Sequence, residues 1–582
     1  EMCRRDRATP TAPTVTNTPH IAVIGAGPGG LATAMLLSAS GVRVTVYEAQ
    51  SGVGGRTGRV RAGGYSFDRG ATFFMMPHVL DEVFRAAGTS LGDEVGMTRL
   101  DPMYRLVLGR SGQSPITLDT TQDIAQMAGR IGAIEPRDAA AFQRFIHDNR
   151  TKLALMESLL RRPIRGPLDL LDLDTMRVGR LLHPTLSVHD LLSRYFTNEH
   201  VRLAVAFQSK YLGMSPFDCP SLFTILPFIE YEFGVWHPEG GCHGLMLAMA
   251  RVTQAAGATI RTACPVDAIT FSGKRATGVV VDGQAIAHDA VVVNADATWA
   301  LKHLIPADVR SRLGDWGTDA GIDKRRYSCS TFMLYLGLDG ALDLPHHTIY
   351  TSASYRQNLD DITTGARVSD DPSFYVCNAS RTDGTLAPAG KSSVYVLVPV
   401  GNTKGAATDG GGGAGGDIGP SSTAPVDWSR AGPRLRETTL DQIARVLGTR
   451  DLRPRIEREV VVNPDDWRAT NINHGATFNL SHTLAQMLHK RPHNRLRGVD
   501  GVYLAGGGTH PGSGLPTIFL SAQIAAGQIA KDLGTRCALD AVEAIRTRQA
   551  RTWNPVGRAA RVPIGADPLL GDPNSPIGTI AG

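Results

Sequence analysis

The chain has 582 residues, of which 42% are hydrophobic and 20% are charged, and its formal net charge is +5. This length divides into two or three packed domains, and the composition excludes a disordered or fibrous protein. The nearly balanced charge argues against binding to nucleic acid, which is usually accompanied by a concentrated basic surface.

Seven cysteines are spread along the chain without a CxxC pair. Their odd number and wide separation argue against a disulfide framework or a zinc site and favour a reducing cytoplasm. No apolar run approaches the ~18 residues of a membrane-spanning helix. We also expect no secretory signal in this sequence, whereas peripheral contact with a membrane surface is compatible with it.

The first globular segment reads as a β-α-β unit. A polar lead at 1–19 is followed by an apolar strand at 21–24, a glycine-rich turn at 25–30, a helix at 31–40 and a second strand at 42–48. This order is typical of the opening of a dinucleotide-binding domain.

The turn fits the GxGxxG pattern through Gly25, Gly27 and Gly30. In such a turn the first glycine permits the tight bend, the second lets a pyrophosphate approach the backbone, and the third lets helix and strand pack closely. The helix N-terminus offers free N–H groups to phosphate. Glu48 lies 18 residues after Gly30, close to where an acid should meet the ribose hydroxyls.

A second glycine pair follows at Gly54 and Gly55, with Arg56 directly after it. Paired glycines let a ligand approach the backbone, and an arginine there can reach a phosphate or the edge of a flavin ring. Late in the chain, an apolar strand enters a loop dense in glycine at 505–514, and Pro516 then opens a helix predicted over 517–533. We interpret this as a second strand-turn-helix unit that closes on the same ligand.

Between these units the pattern changes several times. Residues 115–205 are predicted to be mainly helical, residues 258–296 mainly β, and residues 328–338 and 392–400 to be further strands. Residues 405–425 are almost all Gly, Ala, Ser and Asp, which is typical of a low-complexity surface loop.

These motifs resemble those of the carotenoid (phytoene) desaturase family, within the FAD-dependent amine-oxidase-like superfamily. The resemblance covers about residues 20–535 and depends on the two glycine-rich units and on the segments Phe67–Thr72, Tyr211–Phe217, Val293–Asp296, His346–Ile349 and Thr509–Gly512. The insert at 405–425, the tail after Thr535 and the Leu515-Pro516-Thr517 string depart from the common pattern.

The resemblance implies a mixed α/β fold with a Rossmann-like FAD-binding domain, a mixed-sheet substrate domain and a helical membrane or substrate region. The expected division is a flexible lead at 1–19, an FAD-binding domain in three parts at 20–110, 256–310 and 491–535, a helical and substrate region at 111–255, a substrate domain at 311–490 and a tail at 536–582. It implies FAD as cofactor, an apolar carotenoid such as phytoene as substrate, and a quinone or oxygen as electron acceptor. The residues expected to contact FAD are Gly25, Gly27, Gly30, Glu48, Gly55, Arg56, Val266, Asp296, Gly506, Gly507, Thr509 and Pro516.

Catalysis in this family requires hydride loss to the flavin and proton loss from a neighbouring carbon. Glu230, Glu232 and His510 are the candidates for proton transfer, although Glu230 and Glu232 also fit solvated charges and His510 also fits a loop cap. His346 and His347 are adjacent and not spaced as ligands on a helix face, so we expect strand or core roles for them and no metal site.

An apolar substrate predicts peripheral membrane contact, and basic residues 161–165 beside the apolar segment 168–173 are one candidate, although an ordinary amphipathic helix also fits. Three alternatives remain open. They are a carotenoid or retinoid isomerase, saturase or oxygenase; a non-enzymatic lipid-binding escort module; and an amine oxidase, for which no aromatic cage can be located in the sequence.

Overall fold

The computed structural model describes residues 18–171, 183–404 and 426–542. The polar lead up to residue 17, the glycine-rich insert at 405–425 and the tail from residue 543 lie outside the described residues, as does part of the apolar segment at 168–173. Two large sheets organise the described chain, and helices cover their faces. This is the mixed α/β architecture that the sequence predicted.

The first sheet, which we call the nucleotide sheet, has five parallel strands. Their spatial order is Val502–Leu504, Ala290–Val293, His20–Ile24, Arg43–Tyr47 and Thr259–Arg261. The central strands are rich in Val, Ile and Ala because helices or loops cover both of their faces. The sheet therefore joins strands from the beginning, the middle and the end of the chain.

The helix Pro28–Ala39 packs on the nucleotide sheet and is buried from Pro28 to Ser38. It has no polar face, because the helices Cys242–Ala255 and Leu515–Leu533 enclose it. Its apolar side chains belong to one continuous core with both neighbouring helices. This packing fixes the position of the helix N-terminus relative to the ends of the strands.

The second sheet, which we call the chamber sheet, has seven mixed strands. Their order is Ile456–Val462, Ser330–Leu338, Ser392–Val400, Phe374–Cys377, His347–Thr351, Arg105–Arg110 and Gln113–Asp119. Arg105–Arg110, which was expected to end the first part of the FAD-binding domain, pairs in parallel with His347–Thr351 and so belongs to this sheet. Gln113–Asp119 is likewise a strand in the region expected to be helical, because it forms a hairpin with its predecessor.

Smaller sheets and short helices complete the fold. The remaining strands are Arg59–Ala62 with Tyr65–Asp68, Met97–Arg99 with Trp236–Pro238, and the three-stranded Ala268–Ser272, Arg275–Val281 and Gln284–Ala287. The other helices are Pro77–Ala86, Leu91–Glu94, Ile124–Ile134, Pro136–Arg161, Val188–Leu192, Glu199–Ala206, Ile225–Phe233, Ala297–His303, Ala307–Arg310, Asp319–Asp323, Tyr355–Thr364, Trp428–Leu447 and Pro464–Ala469. Among the residues described, no helix combines the length and apolarity needed to cross a bilayer.

Candidate functional site

A cavity of about 460 Å³ lies between the two sheets. One end is lined by the glycine-rich turn and by the residues that follow the strands of the nucleotide sheet, and the other end by side chains of the chamber sheet and of the segment Phe207–Tyr211. Its size falls within the range of small-molecule and cofactor sites. The same enclosure therefore meets a dinucleotide-type turn and an apolar chamber.

The glycines of the first turn are required by close backbone contacts. Gly25 has φ +97°, and Gly25 N donates to Tyr47 O at 2.7 Å. A Cβ on Gly30 would lie 2.0 Å from Gly25 O, and one on Gly27 would lie 2.9 Å from Asn294 Oδ1. Gly25 and Gly27 line the cavity, whereas Gly30 packs the helix against the turn. No side chain caps the helix N-terminus, so its amides are open to a phosphate.

Glu48 ends the second strand and holds the turn. Its Oε2 accepts a hydrogen bond from Ala26 N at 2.7 Å, and its Oε1 accepts one from Gln50 N at 2.8 Å. Burial raises the pKa of this carboxyl, and the backbone hydrogen bonds oppose that shift. Because Glu48 also lines the cavity, its remaining lone pairs can accept hydrogen bonds from a pair of ribose hydroxyls.

Arg56 and the late glycine loop both contact the segment 477–479 in the cavity wall. Arg56 donates to Thr477 O at 2.8 Å and to Asn479 Oδ1 at 3.1 Å, and burial lowers its pKa. Gly506 and Gly507 lie beside them, and a Cβ on Gly507 would approach Asn479 Nδ2 to 2.9 Å. The segment 477–479 gives no motif in the sequence, so this bridge was not predicted.

The other residues expected to contact the cofactor divide into two groups. Val266, Asp296, Gly55 and Pro516 line the cavity, although the strand expected to include Val266 begins only at Ala268. Asp296 also caps the helix Ala297–His303 through Thr298 N and Trp299 N. Thr509 does not line the cavity, because it is buried and its hydroxyl donates to Pro492 O. Its expected cofactor contact is therefore replaced by a role in holding the loop.

The three candidates for proton transfer all lie outside the cavity lining. Glu232 pairs with Arg150 at 2.5 Å on the surface, so its catalytic assignment is not supported by its position. His510 is buried, its Nε2 lies 3.1 Å from Arg162 O, and burial lowers its pKa to about 4. The loop role that the sequence also allowed fits His510 better.

Glu230 is fully buried behind the cavity wall. Its Oε2 accepts hydrogen bonds from Tyr104 Oη at 2.7 Å and from Gln208 Nε2 at 3.0 Å, and burial raises its pKa to about 7. Tyr211 does line the cavity. Burial raises the pKa of its phenol, and the nearby Glu230 carboxylate raises it further. Glu230 therefore supports the wall and is separated from a bound molecule by other side chains.

The chamber end of the cavity is largely apolar and aromatic. Its lining includes Phe73, Met75, Phe207, Tyr211, Met333, Ile349, Phe374, Tyr375, Tyr395, Leu397 and Phe478. Tyr375 and Tyr395 meet edge to face with ring centroids 5.5 Å apart, and both hydroxyls bond to Thr72. These aromatic residues come from distant strands, loops and turns, so the sequence alone could not show that they share one wall.

His346 and His347 are buried at the start of a chamber-sheet strand, as the sequence favoured. One nitrogen of each ring and the Cys377 sulfur lie within 4.8 Å of one another, a grouping that the sequence did not suggest. Phe73 stacks on His347 with a centroid separation of 4.1 Å, and burial raises the pKa of the Cys377 thiol to about 12. A neutral thiol and stacked rings are consistent with packing behind the cavity wall.

The chain matches the family model described as flavin containing amine oxidoreductase over residues 28–401 and 427–530. The chain belongs to this family. Among its solved structural neighbours are an oxidoreductase from Methanosarcina mazei, with a TM-score of 0.56, 16% identity and coverage of 86% of this chain and 98% of the other, and cyclohexylamine oxidase from Brevibacterium oxydans, with a TM-score of 0.52, 15% identity and coverage of 89% and 100%. At these identities the neighbours show the fold alone.

Curated relatives of this flavin oxidoreductase are more similar in sequence. A 4,4'-diapophytoene desaturase (4,4'-diapolycopene-forming) from Methylomonas sp is 38% identical over 512 residues, which are 88% of this chain and 95% of the relative. An all-trans-zeta-carotene desaturase from Myxococcus xanthus is 38% identical over 522 residues, with coverage of 88% and 94%. A zeta-carotene-forming phytoene desaturase from the same organism is 34% identical over 510 residues, with coverage of 87% and 92%. The predicted resemblance to carotenoid desaturases is thereby confirmed, and the chain is an oxidoreductase of that type.

Proposed function

We propose that this protein is an FAD-dependent desaturase that introduces double bonds into a long apolar isoprenoid such as phytoene or 4,4'-diapophytoene. The observation that carries the proposal is a continuous cavity in which a dinucleotide cradle leads into an aromatic and aliphatic chamber. A molecule in the chamber would lie against the ring end of a cofactor held in the cradle.

The residues present fit FAD. The open helix N-terminus after Gly27 would hold the pyrophosphate, and the free lone pairs of Glu48 would accept from the ribose. Backbone at Val266 would meet the adenine side, Gly507 would lie toward the ring, and Arg56, which follows the glycine pair packed against Gly27, would reach the phosphates or the ring edge. When bound, the flavin ring supplies the acceptor for a hydride.

The side chains of the protein orient the substrate and exclude water from it. A polyene precursor has no polar group for orientation, so the walls formed by Phe73, Tyr211, Tyr375 and Phe478 would fix which carbon lies beside the ring. Their aromatic and apolar surfaces exclude water, which would otherwise react with the electron-deficient carbon left by hydride loss. Desaturation is favoured over amine oxidation because the chamber wall is largely aromatic and aliphatic, which suits an apolar chain, and because the curated relatives are named as carotenoid desaturases.

The proposal includes contact with a membrane surface, from which an apolar substrate would enter. Leu168 is 79% exposed and Leu171 is 64% exposed, and both lie in the candidate segment. Arg161 is not available to lipid headgroups, since it is engaged by Glu82 at 2.8 Å and by Glu157 at 2.9 Å. We also propose a cytoplasmic location, which the free thiols of Cys219, Cys242, Cys264, Cys329, Cys377 and Cys537 support.

Expression in bacteria that accumulate phytoene or 4,4'-diapophytoene tests the activity. We expect pigments with longer conjugated chromophores, whereas an isomerase, saturase or oxygenase would give products without added double bonds, and an escort module would give none. A colourless purified protein that stays colourless with added FAD would refute the cofactor assignment. Turnover in the presence of a quinone, compared with oxygen alone, identifies the electron acceptor.

Flotation with liposomes tests the surface contact. Leu168→Asp with Leu171→Asp should move the protein from the lipid fraction to the soluble fraction, because each substitution removes apolar contact area and adds a charge at the interface. Full recovery of the unaltered protein in the soluble fraction, with and without anionic lipid, would contradict this part of the proposal.

A further inference from the structure

Desaturation removes a proton as well as a hydride, and a base must accept that proton. When a hydride leaves one carbon, the adjacent carbon must lose a proton so that its C–H electron pair can form the new double bond. Glu230, Glu232 and His510 do not line the cavity. The acids that do line it are Glu48 and Asp296, and both are committed at the dinucleotide end by hydrogen bonds from backbone amides.

Lys210 brings an amine to the chamber end. It lies in the turn Phe207–Leu212, lines the cavity, and places its Nζ 4.8 Å from the centroid of the Tyr355 ring. Within the part of the chain that the structure describes, the amine has no hydrogen bond and no ion pair. Lys210 is partly buried, with the face of the Tyr355 ring as its aromatic contact and no counter-charge among the described residues, and desolvation lowers its pKa to about 7.

The position of Lys210 relative to the cofactor end follows from a short series of contacts. Gly213 N donates to Lys210 O at 2.9 Å, and Cys329 N donates to Gly213 O at 3.2 Å. A Cβ on Gly213 would meet the Phe478 ring at 2.7 Å, so Phe478 lies against this turn. The neighbouring Asn479 bonds to Arg56. The turn that carries Lys210 therefore packs against Phe478, and the adjoining Asn479 bonds to Arg56 within the lining of the same cavity.

Resting on the proposed function, we propose that Lys210 is the catalytic base of desaturation. Its Nζ lone pair accepts the proton of the carbon adjacent to the one that loses hydride. The C–H electrons of that adjacent carbon become the second bond of the new double bond, the hydride with its electron pair reduces the flavin, and the amine becomes an ammonium. The ammonium must then lose this proton before the next turnover.

Among the described titratable groups around the Lys210 amine, only the amine itself has a pKa near neutrality. Burial raises the pKa of the Cys329 thiol to about 12, and it raises the pKa values of the Tyr355 and Tyr211 phenols still further. All three are neutral at physiological pH. The amine is thus the group here that can exist as a base at neutral pH, and activity should rise as pH increases through its pKa.

The test uses the FAD-loaded full chain and measures the limiting rate of flavin reduction without oxygen, with phytoene, zeta-carotene or 4,4'-diapophytoene supplied in liposomes. In the unaltered protein we expect this rate to rise with pH around an apparent pKa of about 7. In Lys210→Met the rate should fall by about 100-fold or more and lose this pH dependence, which is the usual range for loss of a general base. Added primary alkylamines should restore part of the rate in Lys210→Ala.

Lys152→Met is the matched control, because desolvation lowers the pKa of this lysine as well, but it lies on the helix Pro136–Arg161 outside the cavity lining. It should keep the rate and the pH profile. The proposal is overturned if Lys210→Met reduces the flavin within threefold of the unaltered rate, or if a slower variant keeps the same pH profile and alkylamines do not help it. If the unaltered protein reduces its flavin with none of the three precursors, the proposed function fails first, and the two failures are thereby distinguished.

Discussion

Substitution of Glu48 by glutamine tests how the cradle holds the dinucleotide. The carboxylate accepts from Ala26 N at 2.7 Å and from Gln50 N at 2.8 Å, and its remaining lone pairs face the cavity. A glutamine keeps the shape but removes the charge, and its NH₂ group would point at one of these two N–H donors. A hydrogen bond to a charged group contributes about 1.5–3 kcal/mol and a neutral one about 0.5–1.5 kcal/mol, so two ribose bonds lose about 2 kcal/mol in total.

This loss predicts FAD binding about 30-fold weaker in Glu48→Gln, since each 1.4 kcal/mol is a factor of ten. Titration of the apoprotein with FAD, followed by flavin fluorescence, measures the change. As pH is lowered, protonation of Glu48 should weaken FAD binding in the unaltered protein. Because burial raises the pKa of Glu48, this weakening should begin at a higher pH than the ordinary pKa of a glutamate. That pH dependence should be absent in the variant.

Asp138→Asn is the matched control for this prediction. Asp138 is a buried carboxylate that accepts from Thr197 N at 2.8 Å and from Asn198 N at 3.0 Å, but it does not line the cavity. Its substitution should lower the melting temperature and leave FAD affinity unchanged. Equal FAD affinity in Glu48→Gln and the unaltered protein would refute the assignment of Glu48 to the ribose.

Three further substitutions test other parts of the account. Gly30→Ala should destabilise the fold by about 1–3 kcal/mol and release FAD, because the added Cβ would lie 2.0 Å from a backbone carbonyl oxygen. Gly527→Ala should be tolerated, because its Cβ would have no neighbour within 4 Å. Equal melting temperatures and flavin contents in the two variants would contradict this. Burial raises the pKa of Glu230 from 4.5 to about 7, so the folded state binds this proton more tightly than the unfolded state, and stability is lost as pH rises through this range. In urea unfolding, the unaltered protein should lose up to roughly 3 kcal/mol relative to Glu230→Gln between pH 4.5 and 7. A difference between the two proteins that stays constant with pH would disprove the shift. Glu232→Ala should keep the rate of product formation and lower stability by no more than about 1 kcal/mol, since its pair with Arg150 is on the surface; a tenfold loss of rate would restore its catalytic assignment.

The cofactor end was largely predictable from the sequence, because its residues are fixed by local backbone demands. Gly25 and Gly27 are required by a positive φ and by close approach, and Glu48 follows at a set distance along one β-α-β unit. Such requirements appear as short motifs with regular spacing. Thr509 was an exception, since motif membership could not show that its hydroxyl points to Pro492 and away from the cavity.

The chamber could not be predicted in the same way, because it is built by contacts between distant segments. The 477–479 segment bonds to Arg56 across more than 420 positions, and Lys210 faces Cys329 only after the chamber sheet forms. A single lysine before the Tyr211–Phe217 segment gives no sign in the sequence that it lines a cavity. Glu230 and Glu232 illustrate the same limit, since two acids separated by one residue lie on opposite sides of a helix and have unrelated partners.

The central claim is that one cavity holds a flavin and a carotenoid precursor in reactive contact. The most direct test mixes the FAD-loaded protein without oxygen with phytoene, zeta-carotene or 4,4'-diapophytoene in liposomes and records the visible spectrum. The account predicts that the oxidised-flavin absorbance disappears in step with the appearance of a longer polyene chromophore. An oxidised flavin that persists with all three precursors but is bleached by a primary amine would contradict it.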